Sequence, residues 1–202
     1  MTIGVWNILD LVDNFGDDYV KEFISDFSTK SEKDGQILDL NPDIELFLKK
    51  NSVQFAKEKK SITYIVGDKE DGSFLGYFTI THKPIEIPAL GLSKTTIKKL
   101  EKHSRLKESS NVYVVSAFLL AQFGKNYSVD NGKRITGDDL MTLVNRELID
   151  IRRRIGGCII YLDCEADAKL IRFYQKDQGF VLYGERISEN DGKRYLQFMK
   201  LL

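Results

Sequence analysis

The stretch "NVYVVSAFLLAQFG", residues 111–124, is apolar almost throughout. A continuous apolar run rich in Val, Leu and aromatic residues is typical of a strand that is buried on both faces. A polar loop, residues 125–136, follows it, and a helical pattern starts at Asp138. The apolar residues of that pattern recur at helical spacing until Gly156 and Gly157 end it: Leu140, Val144, Leu148, Ile151 and Ile155. We therefore predict a central strand, a loop and a long helix as the centre of the fold.

The residues before the central strand predict helices followed by a hairpin. Residues 5–27 place apolar side chains on one helical face, and Pro42 after Asn41 favours a helix over 42–59. The stretches "SITYIVGD" (61–68) and "SFLGYFTIT" (73–81) then predict two antiparallel strands joined by a turn. Pro84 and Pro88 follow, and we expect them to break any strand there.

The residues after the central helix predict a strand, a short helix and a closing hairpin. "CIIYLDC" (158–164) has the composition of a buried strand, and "ADAKLIRFYQKD" (166–177) that of a short helix. "FVLYGER" (180–186) and "RYLQFMKLL" (194–202) predict the last two strands. The sequence thus predicts an α/β (α+β) fold, in which helices flank a twisted, mixed and mostly antiparallel sheet.

Composition excludes several classes of protein. The chain has 202 residues, with 30 Lys plus Arg and 30 Asp plus Glu, and this balance does not favour nucleic acid as the main partner. Cys158 and Cys164 lie in or beside one apolar run, which favours buried thiols in a reducing compartment. The N-terminus lacks the pattern of a signal peptide, and no apolar run approaches the roughly 20 residues that cross a bilayer. We expect a soluble, cytoplasmic protein without a membrane partner.

The stretch "KRITGDDL", residues 133–140, allows two interpretations. A helix N-terminus favours a diphosphate, Gly137 lets the backbone approach a ligand, and Lys133 and Arg134 add positive charge. Asp138 and Asp139 compete with phosphate for the same N–H groups, and carboxylates are good helix caps in their own right. The stretch is therefore either a phosphate-binding loop or a capped helix start.

The chain from about residue 25 to 202 resembles the GCN5-related N-acetyltransferase (GNAT) family. The stretch from Arg134 to Asp139 is similar to the family's Gln/Arg-x-x-Gly-x-Gly/Ala signature, although Asp139 stands where the family has a small residue. "DAKLIRFYQKDQGF" is similar to the family's Asn…Ala…Leu-Tyr…Gly-Phe segment, with Asp167 in place of the Asn. The resemblance implies a GNAT-like domain over 25–202, a helical extension over 1–24, and an irregular insertion at 82–111 as a wall on the substrate side.

The resemblance also implies an activity, the transfer of an acetyl group from acetyl-CoA to an amine by direct attack in a ternary complex. It implies that backbone at the end of the central strand pairs with the pantetheine arm and that the following loop binds the diphosphate. The implied coenzyme A-binding residues are Phe123, Gly124, Lys125, Lys133, Arg134, Ile135, Thr136, Gly137 and Asp138.

Tyr174 is the implied general acid, because a phenol can protonate the departing thiolate. A general base is harder to assign. Glu165 follows a strand, where a carboxylate can face the site, and the only two histidines, His82 and His103, lie between 82 and 111. The competing interpretation makes Tyr174 a packing residue and both histidines exposed.

Several further hypotheses stay open or are excluded. The fold with a degenerate loop predicts a non-catalytic binding or regulatory protein, and some toxins of this family acetylate aminoacyl-tRNA. The basic stretch "KTTIKKLEKHSRLK" lacks aromatic residues, so a solvated helix face is favoured over RNA binding. No P-loop and no zinc-binding spacing occur, so we expect no metal. The acceptor, a small molecule or a peptide amine, and the oligomeric state stay undetermined.

Overall fold

The computed structural model describes residues 2–33, 36–189 and 192–202. The helices are α1 (Ile8–Phe15), α2 (Asp17–Ser25), α3 (Pro42–Lys50), α4 (Ser52–Lys57), α5 (Lys94–Leu100), α6 (Gly137–Ile155) and α7 (Ala168–Arg172), the last continuing as a π turn (Phe173–Asp177). The strands are β1 (Ile3–Asn7), β2 (Lys30–Lys33), β3 (Gln36–Asp39), β4 (Ile62–Asp68), β5 (Phe74–Pro88), β6 (Leu106–Lys107), β7 (Val112–Lys125), β8 (Ile159–Glu165), β9 (Val181–Ile187) and β10 (Arg194–Leu201). In the part of the chain that is described, no helix is both long and apolar enough to span a membrane.

The chain forms two compact units, and the first runs from the N-terminus to Thr81 and includes Ala121–Glu147. Its sheet has the strand order β1, β4, β5 and the end of β7, and the β1–β4 and β4–β5 pairs are antiparallel. Alternation along these strands buries one set of side chains under α1–α4. The core residues are Ile8, Val20, Ile24, Phe27, Leu48, Val53, Ala56, Ile65, Phe74 and Tyr77.

The second unit comprises His82–Leu120 and Leu148–Leu202. Its strand order is the end of β5, then β7, β8, β10 and β9, and β6 pairs with β7. β7 and β8 are parallel, whereas β8–β10 and β10–β9 are antiparallel. Its core residues are Ile87, Leu100, Tyr113, Val115, Ala117, Cys158, Ile159, Tyr161 and Met199. The prediction of a mixed, mostly antiparallel sheet flanked by helices is confirmed.

Most predicted elements are confirmed within a few residues, but the N-terminus differs. The helical segment predicted over 1–24 starts with strand β1, which pairs with β4 from Ile3↔Asp68 to Asn7↔Tyr64. Helix α1 begins only at Ile8, where the Asn7 side chain accepts a hydrogen bond from the Leu9 N–H at 2.9 Å. Apolar side chains that fit a helical face also fit a strand when the run is this short.

The prediction of an irregular region at 82–111 is wrong. β5 continues through Pro84 to Pro88, and α5 and β6 follow it. β5 pairs with β4 only as far as Ile80, so its later residues have an edge where a missing N–H costs no ladder hydrogen bond. The expectation that both faces of the central strand are buried is also wrong at its start, because Val114 and Ser116 are exposed.

Candidate functional site

The end of β7 is held tightly to β5 and to the core of the first unit. A Cβ atom on Gly124 would lie 2.7 Å from Ile44 Cγ2, and a Cβ atom on Gly76 would lie 2.8 Å from the Gly124 carbonyl oxygen. The buried Asn126 then fixes the start of the loop, because its amide donates to the Phe74 carbonyl oxygen at 2.8 Å. Three of the predicted coenzyme A-binding residues, Phe123–Lys125, therefore lie on a rigid strand end.

The two basic residues of the predicted phosphate loop are engaged within the protein. Arg134 Nη2 donates to the Tyr127 carbonyl oxygen at 2.7 Å, and Arg134 Nε donates to that of Val129 at 3.2 Å. The Arg134 guanidinium also lies 5.1 Å from the centre of the Tyr127 ring. Lys133 forms an ion pair with Asp71. Arg134 thus holds its own loop, while the charge of Lys133 is paired.

The start of α6 is closed by a reciprocal pair of side chains. The Thr136 N–H donates to Asp139 Oδ2 at 2.8 Å, and the Asp139 N–H donates to Thr136 Oγ1 at 3.1 Å. The Thr136 hydroxyl also donates to Asp139 Oδ2 at 2.6 Å. These hydrogen bonds from Thr136, helped by the nearby Lys125 charge, hold the pKa of the Asp139 carboxyl below its ordinary value. This arrangement is a capping box, with Asp in the position that Glu usually takes.

The structure therefore has the capped helix start that the second interpretation of residues 133–140 predicts. Two backbone amides of the predicted phosphate loop, those of Thr136 and Asp139, already have partners. Gly137 opens α6, and the Asp138 carbonyl accepts a hydrogen bond from the Thr142 hydroxyl at 2.9 Å. Ile135 is buried, so its side chain anchors the loop in the core.

In the second unit, the parallel pairing of β7 with β8 is short. It runs from Ala117↔Ile159 to Leu119↔Tyr161, although β8 continues to Glu165. On its other side β8 pairs with β10 along its whole length, from Ile159 to Glu165. The last residues of β8 therefore have a strand partner on one edge only among the described residues.

Tyr174 lies in the π turn that follows α7, where an inserted residue redirects the side chains. Its ring packs against Phe180, with centroids 5.7 Å apart, and against Phe198 at 6.2 Å. The side chain is largely buried, yet no described residue makes a hydrogen bond with its hydroxyl. Burial, together with the neighbouring Cys164, raises the pKa of Tyr174, so the hydroxyl keeps its proton near neutral pH. π turns are frequent at functional sites, and a buried phenol usually has a partner.

The predicted catalytic carboxylate, Glu165, is exposed and forms an ion pair with Lys193 at 2.6 Å. Asp167, which stands where the GNAT resemblance expects Asn, caps α7 by accepting from the Lys169 and Leu170 N–H groups at 2.8 and 3.1 Å. Both carboxylates lie in an open recess lined also by Ala166, Lys193 and Arg194. The ion pair with Lys193 occupies one oxygen of the predicted catalytic carboxylate.

The two histidines differ in their surroundings. His82 lies on β5, where its Nε2 is 2.6 Å from Ser116 Oγ and its ring is 5.1 Å from that of Phe118. His103 lies in the exposed turn after α5. Among the described residues, no group of three or more His, Cys, Asp or Glu side chains is placed to hold a metal ion. Cys158 and Cys164 are free thiols, and burial raises the pKa of Cys164 to about 11.

Sequence reasoning offered a capped helix start but did not identify the reciprocal pair of Thr136 and Asp139, and it missed the internal role of Arg134. The pattern Thr-x-x-Asp before an apolar run was a visible signal for the capping box. The contacts of Arg134 with Tyr127 and Val129 had no such signal, because they depend on how the loop between β7 and α6 folds back.

No protein-family model matches the chain, and no curated protein is similar to it in sequence. Among solved structures, a mutant of KacT with a tyrosine replaced by phenylalanine has a TM-score of 0.62 at 18% identity, over 100% of this chain and 95% of that one. AtaT complexed with acetyl-methionyl-tRNAfMet has a TM-score of 0.61 at 16% identity, over 98% and 94%. The NatC complex bound to Gag peptide and CoA gives 0.51 at 12% identity, over 100% and 99%. These likenesses show that the chain has the GNAT fold.

Proposed function

We propose that the protein is an N-acetyltransferase that moves an acetyl group from acetyl-CoA to an amine. The observation that carries the proposal is Tyr174, whose side chain is largely buried while its hydroxyl has no hydrogen-bond partner among the described residues. It lies where the GNAT resemblance expects the general acid. Support also comes from two similar folds, AtaT with acetyl-methionyl-tRNAfMet and NatC with CoA.

Tyr174 would act on the leaving group. The acceptor nitrogen attacks the thioester carbonyl carbon directly, the carbon–sulfur bond breaks, and the sulfur takes the proton of the Tyr174 hydroxyl. The amine loses its own proton to a base, for which Glu165 is the candidate, and Tyr174 regains a proton from solvent. The raised pKa of Tyr174 keeps the acid form available, although it also makes the phenol a weaker donor.

The loop before α6 would hold the diphosphate through its backbone. The Gly137 N–H and the positive end of a 19-residue helix favour an anion there. For the amides of Thr136 and Asp139 to take part, the Asp139 carboxylate has to leave Thr136. Phe123, Gly124 and Lys125 would present the end of β7 to the pantetheine arm.

Two classes of amine acceptor are compatible with the proposed acetyl transfer. A small-molecule or peptide amine is the first class, and the NatC complex bound to Gag peptide is a similar fold with a peptide. An aminoacyl-tRNA amine is the second class, supported by AtaT complexed with acetyl-methionyl-tRNAfMet. The free thiols of Cys158 and Cys164 fit a reducing compartment, so we place the protein in the cytoplasm in either case.

Isothermal titration with acetyl-CoA tests the proposal first, and we expect a micromolar to millimolar Kd. Release of free CoA in the presence of a panel of amines, peptides and aminoacyl-tRNA then identifies the acceptor. Growth arrest on expression that is relieved by Tyr174→Phe would select the tRNA class. Absence of acetyl-CoA binding at millimolar concentration would overturn the proposal.

One observation favours a second function, that of a non-catalytic binding protein with the same fold. The capping box satisfies the start of α6 without any ligand. If that closure is permanent, neither acetyl-CoA nor free CoA will bind, and restoring a small residue with Asp139→Gly will not change the titration.

A further inference from the structure

Polar side chains interrupt the apolar face of the sheet in the second unit. Tyr161 and Asp163 are two residues apart on β8, so their side chains point to the same face, while Ile160, Leu162 and Cys164 point to the other. Asp163 lies opposite Gln197 of β10, and Gln197 lies opposite Gly184 of β9. Because Gly184 has no side chain, the Gln197 amide can lie over it, and a Cβ atom there would be 2.9 Å from Gln197 Oε1.

Tyr183 reaches this face through a β-bulge. The register passes from Gln197↔Gly184 to Phe198↔Leu182, so Tyr183 is the extra residue of β9 and has no opposite residue on β10. Bulges redirect a side chain and recur next to functional sites. Tyr183 packs against the apolar cluster that contains Tyr161 and Met199. We name the group of Tyr161, Asp163 and Tyr183 the tyrosine recess.

The hydroxyls of the tyrosine recess have no hydrogen-bond partner among the described residues. Tyr161 is 7% exposed, and neither its hydroxyl nor that of Tyr183 makes a hydrogen bond with a described residue. Ser61 carries the one side-chain nitrogen or oxygen, among those described, that is both fully buried and unpartnered. The two phenol oxygens are therefore open to solvent at the end of otherwise packed side chains. Each oxygen can therefore form a hydrogen bond with a ligand in place of water.

Asp163 sets the charge of the recess. Its Oδ2 accepts from Arg186 Nε at 2.5 Å, and the Arg186 guanidinium also lies 5.1 Å from the Tyr195 ring. Among the side chains that the structure describes, its Oδ1 accepts only a long hydrogen bond of 3.3 Å from Gln197 Nε2. Oδ2 is thus held by Arg186, while Oδ1 can still accept a hydrogen bond from a ligand.

The electrostatic effect of Asp163 on the two phenols has a definite sign. Burial first, and then the Asp163 charge, raises the pKa of Tyr161 to about 12. Burial, Asp163 and Tyr161 likewise raise the pKa of Tyr183. The recess therefore disfavours a second negative charge and favours a cation with hydrogens to donate.

We propose that the tyrosine recess binds the primary ammonium group of the acetyl acceptor, with Asp163 Oδ1 and the oxygens of Tyr161 and Tyr183 as its three acceptors. An ammonium has three N–H donors, which matches three oxygens of this kind. Apolar Met199 and Val181, which face each other across β9 and β10, lie beside the recess and suit a carbon chain next to the nitrogen. This inference rests on the proposed function, since it names where that reaction takes up its amine.

The test is a titration followed by NMR of protein labelled with ¹³C at tyrosine Cζ. The probe is n-butylammonium chloride, and tetramethylammonium chloride at equal ionic strength is the control, since it carries the same charge without an N–H. Tyr161→Phe and Tyr183→Phe assign the two resonances. We expect both to shift saturably with butylammonium and not with tetramethylammonium, and Asp163→Asn to weaken binding about tenfold to a hundredfold.

Glu185→Gln is the matched control variant, because Glu185 lies on the same strand as Tyr183 but pairs with Arg194 at the surface. We expect it to bind the probe like the parent protein. Equal shifts with both cations, or unchanged binding in Asp163→Asn, would overturn the inference. Far-ultraviolet circular dichroism of each variant establishes that it is folded, and Asp163→Glu, which keeps the charge, should retain part of the affinity.

This experiment separates the inference from the proposed function. Probe binding requires no acetyl-CoA. If the protein binds butylammonium but not acetyl-CoA, the tyrosine recess is supported as a cation site and the proposed acetyltransferase function fails. If Asp163→Asn transfers acetyl groups with the same KM for the amine as the parent protein, the proposed function is supported and the tyrosine recess is not the amine site.

Discussion

The start of α6 in the first unit and the tyrosines of the second unit differ in whether their polar groups have hydrogen-bond partners. Thr136 and Asp139 satisfy each other's amides, and Arg134 uses its donors on the carbonyls of its own loop. Tyr161 and Tyr174, although largely buried, leave their hydroxyls without a hydrogen bond to any described residue. A group that is already satisfied has to break a contact before it binds a ligand, whereas an unsatisfied one gains a contact.

The sequence pointed to the loop before α6 as the strongest sign of a ligand site, whereas the structure points to the tyrosines. The glycine-containing loop resembles part of the GNAT signature, but its structure is explained by helix capping alone. The tyrosines carry weaker sequence signals, but their structure is not explained by packing alone, because packing does not require a hydroxyl. We therefore expect the larger functional effects in the second unit.

The largest effect is expected from Tyr174→Phe. The phenylalanine ring keeps the contacts with Phe180 and Phe198 but cannot donate a proton. We expect kcat for acetyl transfer to fall by about 100-fold or more, with little change in Tm. Release of CoA thiol, followed with a thiol reagent, measures the rate. Tyr113→Phe is the control, since its hydroxyl only has a long contact of 3.4 Å with Glu101, and equal rates in both variants would remove Tyr174 from the chemistry.

A smaller effect of opposite sign is expected from Asp139→Ala. The change frees the Thr136 amide and removes a negative charge, so we expect acetyl-CoA to bind about tenfold more tightly. The lost capping box should lower the free energy of unfolding by about 1 kcal/mol. Titration calorimetry and urea unfolding measure the two effects. Asp138→Asn removes a charge without opening the capping box, so an equal gain in that variant would assign the effect to charge alone.

A third prediction compares satisfied and unsatisfied phenols by their stability. The Tyr77 hydroxyl donates to the Ile44 carbonyl oxygen at 2.6 Å, so Tyr77→Phe should lower the free energy of unfolding by about 1 kcal/mol. Tyr161→Phe removes a hydroxyl that bonds to no described residue, so it should leave the free energy of unfolding nearly unchanged. Urea unfolding monitored by circular dichroism measures both. A loss in Tyr161→Phe as large as that in Tyr77→Phe would contradict the comparison.

The smallest effect concerns acid stability at the loop. The hydrogen bond from Lys133, and then those from Ser73, hold the pKa of Asp71 well below its ordinary value. A depressed carboxyl pKa stabilises the fold above the unfolded pKa of about 3.9, and this contribution is lost as the pH falls below that value. Because the pair is exposed, Lys133→Met should lower Tm only slightly at pH 7 and flatten its decrease between pH 5 and 3. Unchanged melting curves across this range would show that the pair contributes nothing.

The local patterns of the sequence determined most of the elements. The β4–β5 hairpin, the long α6 with its end at Gly156 and Gly157, and strand β8 all follow from hydrophobic period and turn residues. The errors at β1 and at the end of β5 share one cause. Whether a short apolar run becomes a strand, and whether a proline is tolerated in one, depends on the neighbouring strand rather than on the run itself.

The sequence by itself also placed Tyr174 and the start of α6, since each follows from a local motif. Only the tertiary structure decided what these groups contact, because hydrogen-bond partners such as Arg134 with Tyr127 are set by how loops fold back. The tyrosine recess depends on it most. Tyr183 joins Tyr161 and Asp163 only through a bulge in β9 and a register across three strands, and pairing between distant segments is not encoded in any one of them.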